Sequence, residues 1–209
     1  LGVTEKTPCP EGGAMGREGG ALTGYMEENA FLLWQRKVPM PDMAALTAAC
    51  EKAQALYGSC GITTVQEGML PEQLVPIYQA LCAGDKLYLD VVGYADHGGM
   101  QAAERLLPEC LRGYFHHFRV AGYKIFLDGS PQGRTAWLRT PYAGEKDYRG
   151  YGTMTDEQVL SAIRTAVSQG RQLLSHCNGD AACAQYLAAL ETAAREDVDL
   201  AAMRPVMIH

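Results

Sequence analysis

No stretch of this chain approaches the roughly 20 consecutive apolar residues that a bilayer-spanning helix needs, so nothing in it reads as a membrane anchor. A basic start followed by an apolar core, the pattern of a secretory signal, is missing too. Positive charge is in short supply. Eighteen Lys and Arg against 24 Asp and Glu leave a formal charge of -6, which argues against nucleic acid or an anionic membrane surface as the main partner. The seven cysteines contain no C-x-x-C pair, and their odd count fits reduced thiols in a cytoplasmic enzyme better than a disulfide framework. G-x-G-x-x-G is absent, which leaves a Rossmann-type oxidoreductase without its main support.

What is present starts with a lysine in an unexpected place. Val120 to Leu127 is apolar, β-branched and aromatic, as a strand buried on both faces is. With a side-chain period of two, Lys124, Phe126 and Asp128 share one face, and Tyr123, Ile125 and Leu127 the other. An ammonium is almost never buried unpaired, so Lys124 is either salt-bridged or chemically altered. Two later strands, Arg171 to His176 and Pro205 to His209, each end in a histidine. Polar groups at the carboxyl ends of successive strands stand where parallel α/β folds carry their sites.

Between these strands the pattern alternates. Helical patterns run from Glu27 to Val38, to about Tyr57 after Pro41, and over Pro71–Ala83, Gly99–Leu111, Thr155–Gln169 and Asp180–Arg195. Strand patterns cover Ile62–Glu67, Leu87–Tyr94 and the three segments above. Five strands separated by helices demand a parallel sheet with right-handed crossovers, so the fold class is α/β. Alternation alone does not separate a doubly wound sheet from a (β/α) barrel. The missing Gly-rich turn after the first strand and the recurring strand-end polar groups favour the barrel. Residues 1–24, rich in Gly and Pro, read as a loop or small ribbon leading into a domain over 25–209. The loop from Gly129 to Gly152 is longer than compact domains usually carry. It is either a cover for a small-molecule site or a surface excursion.

The run K-I-F-L-D-G-S-P-Q-G-R-T-A-W-L from Lys124, P-Y at Pro141, H-C-N-G-D from His176 and the terminal I-H resemble the amidohydrolase superfamily, in particular its amidohydrolase-3 branch. Gly24, Asn29-Ala30 and Gly61-Ile62-Thr63-Thr64-Val65 extend the likeness over most of the chain. The resemblance implies a (β/α)8 TIM-barrel metallo-hydrolase, of which this chain covers roughly strands 2 to 6. It implies that Lys124 is the fourth-strand lysine that reacts with carbon dioxide to give a metal-binding carbamate. His176 and His209 match the histidine ligands ending strands five and six. One or two divalent ions, zinc or similar, would activate water against an amide, formamide or cyclic amide C–N bond. Asp128 either orients substrate or a ligand or caps the Gly129 turn. Arg134 either clamps a substrate carboxylate or carbonyl or is a solvated loop residue. Asp180 is expected to cap the helix that follows it.

The sequence also departs from that pattern. The strand-one H-x-H pair and the strand-eight aspartate have no counterpart, and His116-His117 cannot replace H-x-H because adjacent strand residues point to opposite faces. With Leu1 first and a strand residue last, the chain is expected to be an internal piece of a longer protein holding part of the metal site. Exposed strand edges would then favour self-association. The competing reading is a noncatalytic binding or assembly module on the same scaffold.

Overall fold

The computed structural model describes every residue except Leu1, Glu11, Gly12, Arg36, Met40, Asp197 and Val198. The chain divides into two compact units, Leu1–Asp42 and Met43–His209. In the first, strands β1 (Gly13–Glu18) and β2 (Ala21–Glu27) form an antiparallel hairpin, followed by helix α1 (Glu28–Gln35). Gly19 and Gly20 make its two-residue turn with φ of 56° and 87°. Two positive φ values in succession define the turn whose twist matches a right-handed hairpin, and glycine adopts them without strain. The division expected between residues 24 and 25 falls inside β2.

The second unit opens with α2 (Met43–Ser59) and then alternates: β3 (Thr64–Leu70), α3 (Val75–Ala83), β4 (Asp90–Ala95), α4 (His97–Leu106), β5 (Phe118–Phe126), α5 (Asp156–Ser168), β6 (Gln172–His176), α6 (Asp180–Ala194), α7 (Leu200–Met203) and β7 (Val206–Ile208). The five strands lie in one parallel sheet in the order β3-β4-β5-β6-β7. Each strand pairs with the next in sequence, and the order never reverses. A doubly wound sheet needs such a reversal, so consecutive order is the arrangement of a (β/α) barrel wall.

Local chemistry places the helices. Asp96 caps α4 by accepting the Gly99 N–H at 2.6 Å, so this helix starts two residues before the sequence pattern suggested and ends at Leu106, ahead of Pro108. At α5, Thr155 and Gln158 form a reciprocal capping box. The core lies between sheet and helices: Leu70, Val91, Phe118, Val120 and Leu173 from the strands meet Met100, Ile163 and Tyr186 from α4, α5 and α6. Tyr78 stacks on Phe118 with centroids 4.2 Å apart. Gly122 is required where β5 meets β6, because a methyl group there would collide with the Gln172 backbone. Among the described residues no helix is long and apolar enough to cross a membrane.

Candidate active site at the carboxyl ends of the central strands

Strand β5 is the middle strand of the sheet, and it delivers Lys124 into a closed environment. The residue is 4% exposed, and among the described residues its Nζ has no hydrogen-bond partner. The Phe126 ring lies two residues along the same face, with Lys124 Nζ 4.3 Å from its centroid. A ring face offers less than water does. Burial therefore pulls the Lys124 ammonium down from 10.5 to about 8, against a smaller opposing pull from Cys177. No salt bridge to Lys124 occurs among the described residues.

Strand register brings His176 beside Phe126. Phe126 pairs with His176, and His176 with Ile208, across three adjacent strands. The Phe126 and His176 rings lie 5.2 Å apart, so the phenyl ring stands next to both the lysine and the imidazole. His176 Nε2 is 3.3 Å from the Gly129 carbonyl and 3.0 Å from Asn178 Nδ2, while Asn178 Nδ2 donates to the same carbonyl at 2.8 Å. Burial lowers the His176 pKa. The positive charges of Lys124 and His209 push the same way, and the Gly129 carbonyl and Asp128 oppose them. A neutral imidazole that donates Nε2–H to the carbonyl keeps its Nδ1 lone pair free, the arrangement typical of a ligating histidine.

His209 follows Ile208 at the end of β7, one residue beyond the row that holds Phe126 and His176. It is exposed. Lys124, His176 and His209 thus sit on three neighbouring parallel strands, toward the same ends. Among the described residues, no three His, Cys, Asp or Glu side chains cluster closely enough to hold a metal ion by themselves.

Asp128 is bonded to backbone from two loops. Its Oδ2 accepts the Trp137 and Gly179 N–H groups at 2.9 and 2.6 Å, and its Oδ1 accepts the Asn178 N–H at 2.9 Å. The side chain is wholly buried, 4.0 Å from His176 Nε2. With three backbone donors on two oxygens, the carboxylate ties the loop after β5 to the loop after β6. This makes it a positioning residue, and it does not cap the Gly129 turn, whose N–H donates to Thr135.

Arg134 lies in the long loop, with φ of 56°. Its guanidinium donates to Glu145 at 2.5 Å and rests near the Tyr142 and Tyr148 rings at 5.4 and 5.8 Å. The loop is therefore internally bonded rather than loose. Tyr142 O–H donates to the Ala136 carbonyl and Tyr148 O–H to the Arg134 carbonyl.

Other residues considered from the sequence fall elsewhere. Asp180 does not cap α6, whose N-cap is Gly179; its Oδ1 instead accepts the Arg139 N–H at 2.8 Å. His116 and His117 pair with Asp85 and Asp90, at the amino end of the sheet. Phe126 and the backbone-binding role of Asn178 were not anticipated. The signal for both lay in the same-face spacing from Lys124 and in the H-C-N-G turn. A cavity of about 690 Å³ reaches Lys124 and is also lined by His97, Tyr123, Ile125, Thr153, Met154 and residues of α5.

The model of the Amidohydrolase family matches residues 1–209. The chain belongs to this family. YtcJ of Bacillus subtilis, which carries the name amidohydrolase, is 30% identical over 197 residues, or 91% of this chain and 36% of YtcJ. Two solved structures share the fold, both described as uncharacterized metal-dependent hydrolases. The one from Pyrococcus horikoshii has a TM-score of 0.67 at 23% identity, covering 82% of this chain and 35% of its own. That from Pyrococcus furiosus has a TM-score of 0.68 at 24% identity, covering 82% and 37%. The chain thus spans about a third of the length of the relatives it matches. Its five consecutive parallel strands correspond to part of a (β/α)8 barrel wall, roughly strands 2 to 6.

Proposed function

We propose that this amidohydrolase-family chain carries part of the metal centre of a hydrolase that cleaves an amide, formamide or cyclic amide C–N bond. The observation that carries the reading is the Lys124 amine, buried, unpaired and beside a neutral His176. A structural lysine at that depth would be expected to have a carboxylate partner. One with a pKa near 8 holds a useful fraction of free amine at neutral pH. Its Nζ lone pair can then form an N–C bond to carbon dioxide, with one amine proton lost to solvent, to give a carbamate.

The residues present fit a divalent cation such as zinc, with one or two ions in the whole protein. The Lys124 carbamate would supply oxygen, and His176 and His209 would supply imidazole nitrogen. When bound, the ion supplies a water of lowered pKa and polarises the scissile carbonyl. The rest is the work of this chain. Gly129 holds the His176 tautomer through its carbonyl, Asp128 fixes the loop that carries Asn178, and Phe126 keeps bulk water from Lys124. Arg134, paired with Glu145, would exchange that partner for a substrate carboxylate or carbonyl.

The test uses the full-length protein. Its metal content would be measured after dialysis, and hydrolysis assayed on N-substituted formamides, linear amides and cyclic amides. Lys124→Met should lose metal and activity together while the protein remains folded. Full activity in the metal-free protein, or in Lys124→Met, would overturn the proposal.

A further inference from the structure

At the opposite end of the sheet, the amino ends of β5 and β6 border a small polar cavity of about 210 Å³. Arg112, Arg119, Arg171 and Arg204 line it, and among the described residues no acidic side chain does. None of the four belongs to an ion pair among the described residues. In a chain of formal charge -6, this concentration of guanidinium groups is out of proportion. Like charges gathered around one cavity repel each other, so the arrangement is favourable only with a counter-charge.

Two of the arginines are held in place by the protein itself. One guanidinium nitrogen of Arg171, which is partly buried, donates to the Leu111 carbonyl at 2.7 Å and lies 3.5 Å from the Val120 carbonyl. Arg119 rests over the Tyr114 ring, 5.5 Å from its centroid. Arg119 and Arg204 both act electrostatically on the Tyr94 phenol, whose hydroxyl donates to Gln172 Oε1 at 2.6 Å. The amide nitrogen of Gln172 donates in turn to the Arg204 carbonyl at 2.9 Å. Arg204 itself sits in a left-handed turn with φ of 50°. The guanidinium fork suits a tetrahedral oxyanion, and several forks exceed what one carboxylate can neutralise.

We propose that this cavity is a binding site for a phosphate-class oxyanion, separate from the hydrolytic centre. The probe is inorganic phosphate, added to the chelator-treated full-length protein at constant ionic strength, with chloride as the control. Phosphate should raise the melting temperature saturably beyond chloride, and the phosphorus-NMR line should broaden on binding. Arg119→Gln or Arg204→Gln should weaken phosphate binding by about tenfold, as loss of one charged hydrogen bond implies, with hydrolysis retained. Equal effects of phosphate and chloride would overturn the proposal, since the arginines would then be neutralised by carboxylates elsewhere in the protein. Phosphate binding undiminished in both variants would also overturn it, by placing the anion elsewhere. Should the variants fail to fold, an unbroadened phosphorus line with the wild-type protein decides against the site.

Discussion

The Asp128 carboxylate accepts the backbone N–H of Gly179 at 2.6 Å, across 51 positions of sequence. This contact fastens the turn after His176 to the loop after Lys124, so two candidate ligands from different strands share one anchor. Replacing Asp128 with Ala would strand the Trp137, Asn178 and Gly179 donors in a buried position. A loss of about 2 to 5 kcal/mol of stability is expected. Asp128→Asn should be nearly as harmful, because an amide group turned toward N–H donors opposes them. Urea unfolding measures both, and an unchanged midpoint in Asp128→Ala would remove the anchor role.

The other side of that turn admits no side chain. A methyl group at Gly179 would collide with the Trp137 carbonyl oxygen and carbon. Backbone cannot yield as a flexible side chain does, so Gly179→Ala should destabilise the protein by about 2 kcal/mol or more. Its effect should reach His176. An altered histidine NMR signal in the variant, absent from Gly58→Ala where nothing lies within 4 Å, would check the link.

Much of this was legible before any coordinates. The order of strands and helices followed from alternation, and Lys124 was conspicuous because an ammonium has no ordinary reason to sit in a strand reading V-A-G-Y-K-I-F. What stayed hidden has physical causes. The β1–β2 hairpin was one of two readings left open for residues 1–24, because its glycines weaken the apolar period that would separate a ribbon from a loop. Asp96 and Asp180 look alike in sequence, each ahead of an Ala-containing helix, yet only Asp96 caps. Asp180 is drawn away by the Arg139 N–H, 41 residues distant. The same is true of Asp128, whose partners come from two other segments. Such competition between local and distant donors leaves no mark in a short window of sequence.

Protonation of Lys124 gives a signed prediction for the metal-free protein kept free of carbon dioxide. The folded pKa of about 8 lies below the ordinary 10.5. Between these values the unfolded chain holds the extra proton, so this group makes stability rise with pH from about 8 to 10.5 and exacts its full cost below 8. That cost is about 3 kcal/mol. Buried tyrosines such as Tyr78 and Tyr94, whose pKa values burial raises, contribute with the opposite sign in alkali. The difference between wild type and Lys124→Met isolates the lysine. Lys124→Met should be the more stable at pH 7 by about that amount, and the gap should close toward pH 10.5. A gap independent of pH would mean that Lys124 is paired.

Removal of the cation is expected to act on the same residues. Chelator treatment of the full-length protein should abolish hydrolysis, and zinc with bicarbonate should restore it together, since under the proposed function a Lys124 carbamate and the ion would support each other. His176→Asn should reduce metal affinity by about 10-fold or more. Restoration by zinc at equal rate with and without bicarbonate would leave the ion but remove the carbamate.

The sheet edges supply the last prediction. Among the described residues, β3 and β7 each pair on one side only, leaving a row of backbone donors and acceptors open on the other. A closed eight-stranded barrel has no such rows. The N-terminal strands β1 and β2 pair with each other in a sheet of their own. Met207 on β7 is 42% exposed, which adds apolar surface at one of the open edges. Unpaired edges of this kind seek other strands. The 209-residue chain expressed alone should therefore associate with itself as concentration rises, and sedimentation velocity would register the growth in mass. Met207→Lys should reduce it, because a charge on an edge strand opposes pairing with a second copy. The full-length protein, with its remaining strands in place, should show no association through these edges. A compact monomer from the 209-residue chain at all concentrations would mean that the β3 and β7 edges are protected within this chain itself, and the barrel would not need further strands to close it.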